Sequence, residues 1–336
     1  MTNHTHPEVV VITGASAGIG RATVRQFAAE GASIGLLARG RDGLEATRKE
    51  VEEAGGKALV LPTDVADANQ VEAAASAVEE AFGPIDVWIN DAMVTLYAEF
   101  LDIEPDEFRR ATEVTYLGTV WGTQSALKRM VPRDRGSIVQ VGSAMAYRSI
   151  PLQSPYCGAK HAIKGLTESV ITELRHHGSN VQVTMVQLPG LNTPQFTWGS
   201  TKLPKQTMPV PPIYQPEVAA DAIHWAAHNR RRELYVGTST VYTVLGEKFA
   251  PWLADRYLAK TAYSGQMTQT PLDPEGHDNL FDPAPGDRGA HGPFDDQAHA
   301  RSPQLALAKR RGLVALAGGA LAGGVLAAGG LLRSRR

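Results

Sequence analysis

Short apolar runs rich in β-branched residues recur along most of the chain, and each is followed by a longer stretch whose apolar positions return at helical spacing. Val9 to Ile12 is the first such run, and it leads through glycines into a helix predicted over Ile19 to Glu30. The pattern repeats with a strand over Ser33 to Ala38, a charged amphipathic helix over Arg41 to Ala54, and a strand over Lys57 to Leu61. A helix over Asn69 to Phe82 and a strand over Ile85 to Ile89 follow. One long helix is predicted over Asp106 to Met130, ahead of a strand over Ser137 to Val141. The last two pairs are a helix over Ser154 to His177 with a strand over Val181 to Gln187, and a helix over Glu217 to Asn229 with a strand over Leu234 to Val236. Seven strands alternating with helices predict an α/β fold, a doubly wound parallel sheet with right-handed crossovers. A ligand of such a sheet sits beyond the C-terminal ends of its strands.

The periodicity fails in three places. Between Leu188 and Gln215 prolines mix with Phe196, Trp198 and Tyr214, and a loop of that length predicts a lid over a ligand. From about Ser264 to Ser302 the composition turns to Pro, Gly, Asp and His, the signature of a linker unable to bury a core. Lys309-Arg-Arg311 then precedes 21 uncharged residues, Gly312 to Leu332, closed by Arg333-Ser-Arg-Arg336. That length just spans a bilayer. Its many glycines and alanines weaken insertion, so a membrane anchor, an interfacial segment and a helix packed on another subunit compete; the basic flanks favour the membrane readings. The expected organisation is a catalytic domain over 1–250, an extension and linker over 251–308, and a hydrophobic tail over 309–336.

Composition removes several alternatives. Lys and Arg total 33 against 35 Asp and Glu, so no basic field argues for nucleic acid. Cys157 is the only cysteine, which excludes an internal disulfide and a cysteine zinc cluster and fits a reducing cytoplasm. The N-terminus has no basic and apolar regions of a secretory signal. The histidines show no metal-ligand spacing, and no metal is expected.

Candidate chemistry gathers at Tyr156 and Lys160, four residues apart on the predicted helix and therefore on one face, with Ser143 upstream. A phenol has an ordinary pKa of about 10; a neighbouring ammonium favours phenolate and lowers it, making a tuned proton donor and acceptor. Gly14, Gly18 and Gly20 lie between a strand and a helix, where the backbone turns tightly and approaches a pyrophosphate. The second strand ends in Leu36-Leu-Ala-Arg39 with no acid before Asp42, so nothing there repels a 2′-phosphate and Arg39 can pair with one; NADP(H) is expected over NAD(H).

Thr13 to Gly20, Asp64, Asn90-Asp-Ala92, Ser143, Tyr156, Lys160 and Pro189-Gly-Leu-Asn-Thr193, in this order, resemble the classical short-chain dehydrogenase/reductase family over roughly residues 8–245. The resemblance implies a Rossmann-like domain in which Ser143 polarises a substrate carbonyl, Tyr156 moves the proton and Lys160 holds the nicotinamide ribose. The candidate cofactor set is Gly14, Ser16, Gly18, Ile19, Gly20, Arg39, Asp64, Val65, Asn90, Ala92, Pro189, Gly190 and Thr193, together with Tyr156 and Lys160. A homodimer or homotetramer is implied as well. Three positions depart from the family pattern: Thr115 replaces an asparagine that supports a proton relay, Asp91 puts a carboxylate beside the cofactor, and Met93 adds bulk. Thr115 is kept as the fourth catalytic candidate. The expected function is carbonyl–alcohol interconversion on a small, apolar substrate; the alternative is a cofactor-binding scaffold or sensor with little turnover.

Overall fold

The computed structural model describes residues 7–273, 276 and 278–310. Seven parallel strands form its central sheet: β1 (Val9–Thr13), β2 (Ser33–Ala38), β3 (Lys57–Pro62), β4 (Val87–Asn90), β5 (Ser137–Val141), β6 (Gln182–Gln187) and β7 (Glu233–Tyr235). Their spatial order is β7-β6-β5-β4-β1-β2-β3. The order reverses between β1 and β4, where Val11 pairs with Gly35 on one side and Trp88 on the other. This is the switch point at which such sheets open a ligand crevice.

The β-branched runs are continuous because both sheet faces are buried. Val10, Ile12, Ile34 and Leu36 face helices α1 (Gly18–Ala28), α2 (Arg41–Glu53) and α8 (Pro216–His228), where Phe27, Leu44 and Ile223 complete one core layer. Val9, Val11 and Leu37 alternate to the opposite face, against Val78 of α3 (Ala68–Phe82), Met130 of α5 (Gly118–Met130) and Ile171 of α6 (Ser154–His176).

Two expectations change. The long helix predicted over Asp106 to Met130 is α4 (Pro105–Thr112), a π-helical turn at Glu113–Leu117, and α5. Thr115 within the turn donates its hydroxyl hydrogen to Val94 O (3.0 Å) and accepts from Val94 N (3.2 Å), tying the turn to the loop after β4. The stretch read as a core-less linker packs on the body. Leu280, Ala290 and Phe294 are buried, Met267–Pro271 pairs antiparallel with Lys205–Thr207, and Ala298–His299 pairs with Ile213–Tyr214. Few apolar side chains suffice there because the anchoring is largely polar.

The Leu188 to Gln215 excursion holds a short helix, α7 (Gln195–Trp198). After the sheet come α9 (Thr238–Phe249), α10 (Pro251–Thr261) and α11 (Pro303–Lys309), the last burying Leu305 and Ala308 in the main core. The hydrophobic tail lies outside the described residues. Among the described residues no helix is long and apolar enough to cross a membrane.

Candidate active site

Two adjoining clefts open at the switch point and share Ile19, Asp91, Met93, Thr193 and Gln195 as a partition. The first is walled by the glycine turn, the ends of β2 and β3, and the Thr193 loop. Gly14 has φ +75, and a Cβ there would stand 3.0 Å from Ala92 Cα. At Gly18, φ +55, a Cβ would project towards Thr193 Cβ at 3.4 Å, closing the gap between turn and loop. The glycines keep that gap open at a helix N-terminus, which fits a dinucleotide pyrophosphate. Ser16, Arg39, Asp64, Val65 and Ala92 line the same cleft.

The second cleft contains Ser143, Tyr156, Lys160, Pro189 and Gly190. Ser143 ends the loop after β5, and Tyr156 and Lys160 share one face of α6, as their spacing predicts. Ser143 acts on the Tyr156 phenol from across the cleft, favouring its ionised form, and Lys160 Nζ lies 5.5 Å from the phenol ring centroid. Tyr97, Ile150, Phe196, Met208 and Val210 make the remaining wall largely apolar.

The electrostatics differ from the expected tuning. Burial raises the Tyr156 pKa, and the pull of Ser143 only partly opposes it. Lys160 donates to Val141 O at 2.7 Å, and its own pKa is lowered by burial against the pull of Asp91. Desolvation raises Asp91, opposed by Lys160 and by the nearby backbone N–H of Gly20. The phenol is therefore a protonated acid at neutral pH rather than a preformed phenolate.

Other candidates fall in different places. Asn90 is buried away from both clefts, accepting from Trp88 Nε1 (2.9 Å) and donating to Gln140 Oε1 (2.9 Å) and Thr123 Oγ1 (3.1 Å). Gly20 serves packing, since a Cβ there would stand 2.2 Å from Gly14 O. Thr115 has both hydrogen-bonding functions on Val94 and is 1% exposed. Asp64 accepts from Arg110 at 2.7 Å. Arg39 reaches the first cleft, but its terminal nitrogens donate to the carbonyls of Asn279, Leu280 and Phe281.

Sequence reasoning missed Asn279, Pro283, Ala284, Gly286 and Arg288 as lining of the first cleft. Their available signal was the turn chemistry of Pro285-Gly-Asp-Arg-Gly289. It also overlooked the i, i+4 pair His224 and His228, which meets Glu30 far from both clefts; ion pairs with Glu30 and Glu8 account for it.

The family model described as short chain dehydrogenase matches residues 8–201. The chain belongs to the short-chain dehydrogenase/reductase family. This short-chain dehydrogenase/reductase is 34% identical over 289 residues to the uncharacterized oxidoreductase YxnA of Bacillus subtilis, covering 84% of this chain and 81% of that one. It is 33% identical over 222 residues to the 3-dehydrosphinganine reductase of Danio rerio, covering 64% of this chain and 66% of that protein. A metagenomic short-chain oxidoreductase solved in complex with NADP superposes with a TM-score of 0.57 at 26% identity, covering 68% of this chain and 96% of that one. The family is that of oxidoreductases with a Rossmann-like sheet.

Proposed function

We propose that the chain interconverts a carbonyl and an alcohol with NADP(H) in preference to NAD(H), with Tyr156 as general acid and base. The observation that carries this reading is the convergence of Ser143, Tyr156 and Lys160 in an apolar cleft that shares a wall with the glycine-turn cleft. A bound nicotinamide supplies or accepts the hydride. Ser143 donates a hydrogen bond to the substrate oxygen as charge develops on it. Tyr156, protonated at neutral pH, delivers its proton to that oxygen in reduction and recovers one in oxidation. Lys160, positively charged beside the phenol, stabilises the phenolate left behind.

The preference for NADP(H) rests on the end of β2, where Ala38-Arg39-Gly40-Arg41 presents no carboxylate to a 2′-phosphate. A solved neighbour holding NADP supports it. An apolar substrate is favoured by Tyr97, Phe196 and Met208 in the cleft wall. The test is binding of NADPH and NADH to the purified protein, followed by dinucleotide turnover against a panel of aliphatic and aromatic ketones and aldehydes. Turnover with NADPH above NADH is expected. One observation favours a second reading, a dinucleotide-binding sensor: the Lys160 ammonium is bonded to Val141 O while burial holds the phenol's pKa up. Binding without turnover on any carbonyl decides for that reading.

A further inference from the structure

Residues 278–292 cross the mouth of the first cleft as a strap fastened to each of its walls. Asp287 pairs with Arg21 of α1, a side chain 5% exposed that also holds Glu50 at 2.7 Å. The carbonyls of Asn279, Leu280 and Phe281 take the donors of Arg39 at the end of β2. Arg110 Nε donates to Leu280 O at 3.1 Å while its Nη2 holds Asp64 at the end of β3. Gly292 N donates to Asn192 O at 3.2 Å, and a Cβ on Gly292 would stand 2.4 Å from Thr193 O. At the centre, Gly289 O accepts from Gly18 N at 3.1 Å, which puts the strap directly on the first turn of α1.

Arg288 is the residue before that contact. Gly286 and Gly289, at φ +73 and +67, bracket Asp287 and Arg288 in a bend that sends Asp287 to Arg21 and leaves Arg288 lining the cleft. The Arg288 guanidinium stands 5.9 Å from the ring of Trp198, which lines the cleft from the opposite, α7 side. Its Nε donates to Pro285 O at 3.0 Å, and among the described residues no carboxylate pairs with it. Arg39, the other arginine lining this cleft, has its terminal nitrogens on strap carbonyls. A guanidinium with unengaged terminal donors beside a helix N-terminus is suited to bidentate binding of a phosphate.

Resting on the dinucleotide reading given above, we propose that Arg288 binds the pyrophosphate of the nicotinamide dinucleotide, so that the strap supplies a phosphate-binding side chain from outside the region matched by the family model. The position over the glycine turn assigns it to the pyrophosphate, common to NADH and NADPH, rather than to the 2′-phosphate.

The experiment measures the affinity of the full chain for NADPH and for NADH by nicotinamide fluorescence, in the wild type, Arg288→Ala and Arg288→Lys. Thermal melts without dinucleotide confirm that each variant is folded. Loss of charge-assisted hydrogen bonds to a phosphate predicts that Arg288→Ala weakens both dinucleotides ~10- to 100-fold, by similar factors. Arg288→Lys, keeping the charge without the fork, recovers part of the loss. A loss confined to NADPH overturns the pyrophosphate assignment and moves the arginine to the 2′-phosphate. A folded Arg288→Ala variant binding both as tightly as wild type overturns the role of Arg288 alone. A wild-type protein that binds neither overturns the dinucleotide reading itself.

Discussion

The carboxylate of Asp91, at the partition between the two clefts, and the ammonium of Lys160, within the second, act on one another, each drawing the other towards its charged form against the burial that opposes it. The arrangement gives a signed pH prediction. Burial lowers the Lys160 pKa and Asp91 raises it, so removing the carboxylate lowers it further. A reaction that needs the ammonium is lost as pH rises through that pKa. In Asp91→Asn the alkaline limb of kcat/KM therefore moves to lower pH. An unmoved or alkaline-shifted limb removes Asp91 from control of Lys160.

Tyr156→Phe removes the transferable proton and keeps the ring. Turnover is expected to fall ~100-fold or more. Because the Gly14 and Gly18 turn and the strap lie in the neighbouring cleft, NADPH affinity changes little. Near-normal turnover would take Tyr156 out of the mechanism.

The strands and the placing of Tyr156 and Lys160 on one helix face were legible because their signals are local. Ser33–Ala38 and Ser137–Val141 have the predicted bounds, since a strand buried on both faces is a continuous apolar run. Tyr156 and Lys160 needed only helical spacing. The break at Glu113–Leu117 was not legible: apolar periodicity registers a helical stripe but not the bond from Thr115 to Val94, 21 residues away in sequence. The strap escaped for a related reason. Its order comes from Arg21, Arg39 and Arg110, more than 160 residues distant, whereas its own composition resembles that of an unfolded linker. The raised rather than lowered pKa of Tyr156 likewise depends on the depth of the cleft, which no spacing reveals.

Thr115→Val keeps shape and removes the hydroxyl that both donates to and accepts from Val94, leaving buried backbone groups without that partner. The expected destabilisation is ~1–3 kcal/mol, read as a lower urea midpoint. Met93 and Asp91, in the same loop, line both clefts, so substrate KM should change as well. Unchanged stability would show that the π-helical turn is held by other contacts.

Glu50 gives a prediction for acid. Its pKa is held at about 2, burial pushing it up but hydrogen bonds and charge from Arg25 and Arg21 prevailing. A carboxyl depressed on folding contributes stability above its unfolded value, and the contribution is lost as pH falls from that value through about 2. Glu50→Gln should lower stability at pH 7 by ~1–2 kcal/mol, discounted for the partial exposure of the pair, and flatten the acid limb of the denaturation curve. An equally steep acid limb in the variant would assign acid sensitivity to other carboxylates.

The last prediction concerns the apolar tail from Gly312 to Leu332. Helix α11 buries Leu305 and Ala308 and pairs Lys309 with Asp221, so a truncation that spares the fold ends at Arg310, not near Ser302. A second apolar surface complicates a simple comparison: Tyr242, Phe249, Trp252 and Tyr257 of α9 and α10 are all exposed, on the helices next to Ser239 and Thr243 of the second cleft. Cells expressing the full chain and the chain ending at Arg310 are fractionated, and the membranes are washed with high salt, which strips electrostatic adhesion but not hydrophobic insertion. If the tail inserts, only the full chain stays with membranes after the wash. Both chains in the soluble fraction would end the anchor hypothesis. Both chains retained would transfer membrane attachment from the tail to α9 and α10, a result that Trp252→Ser with Phe249→Ser in the shorter chain would then reverse.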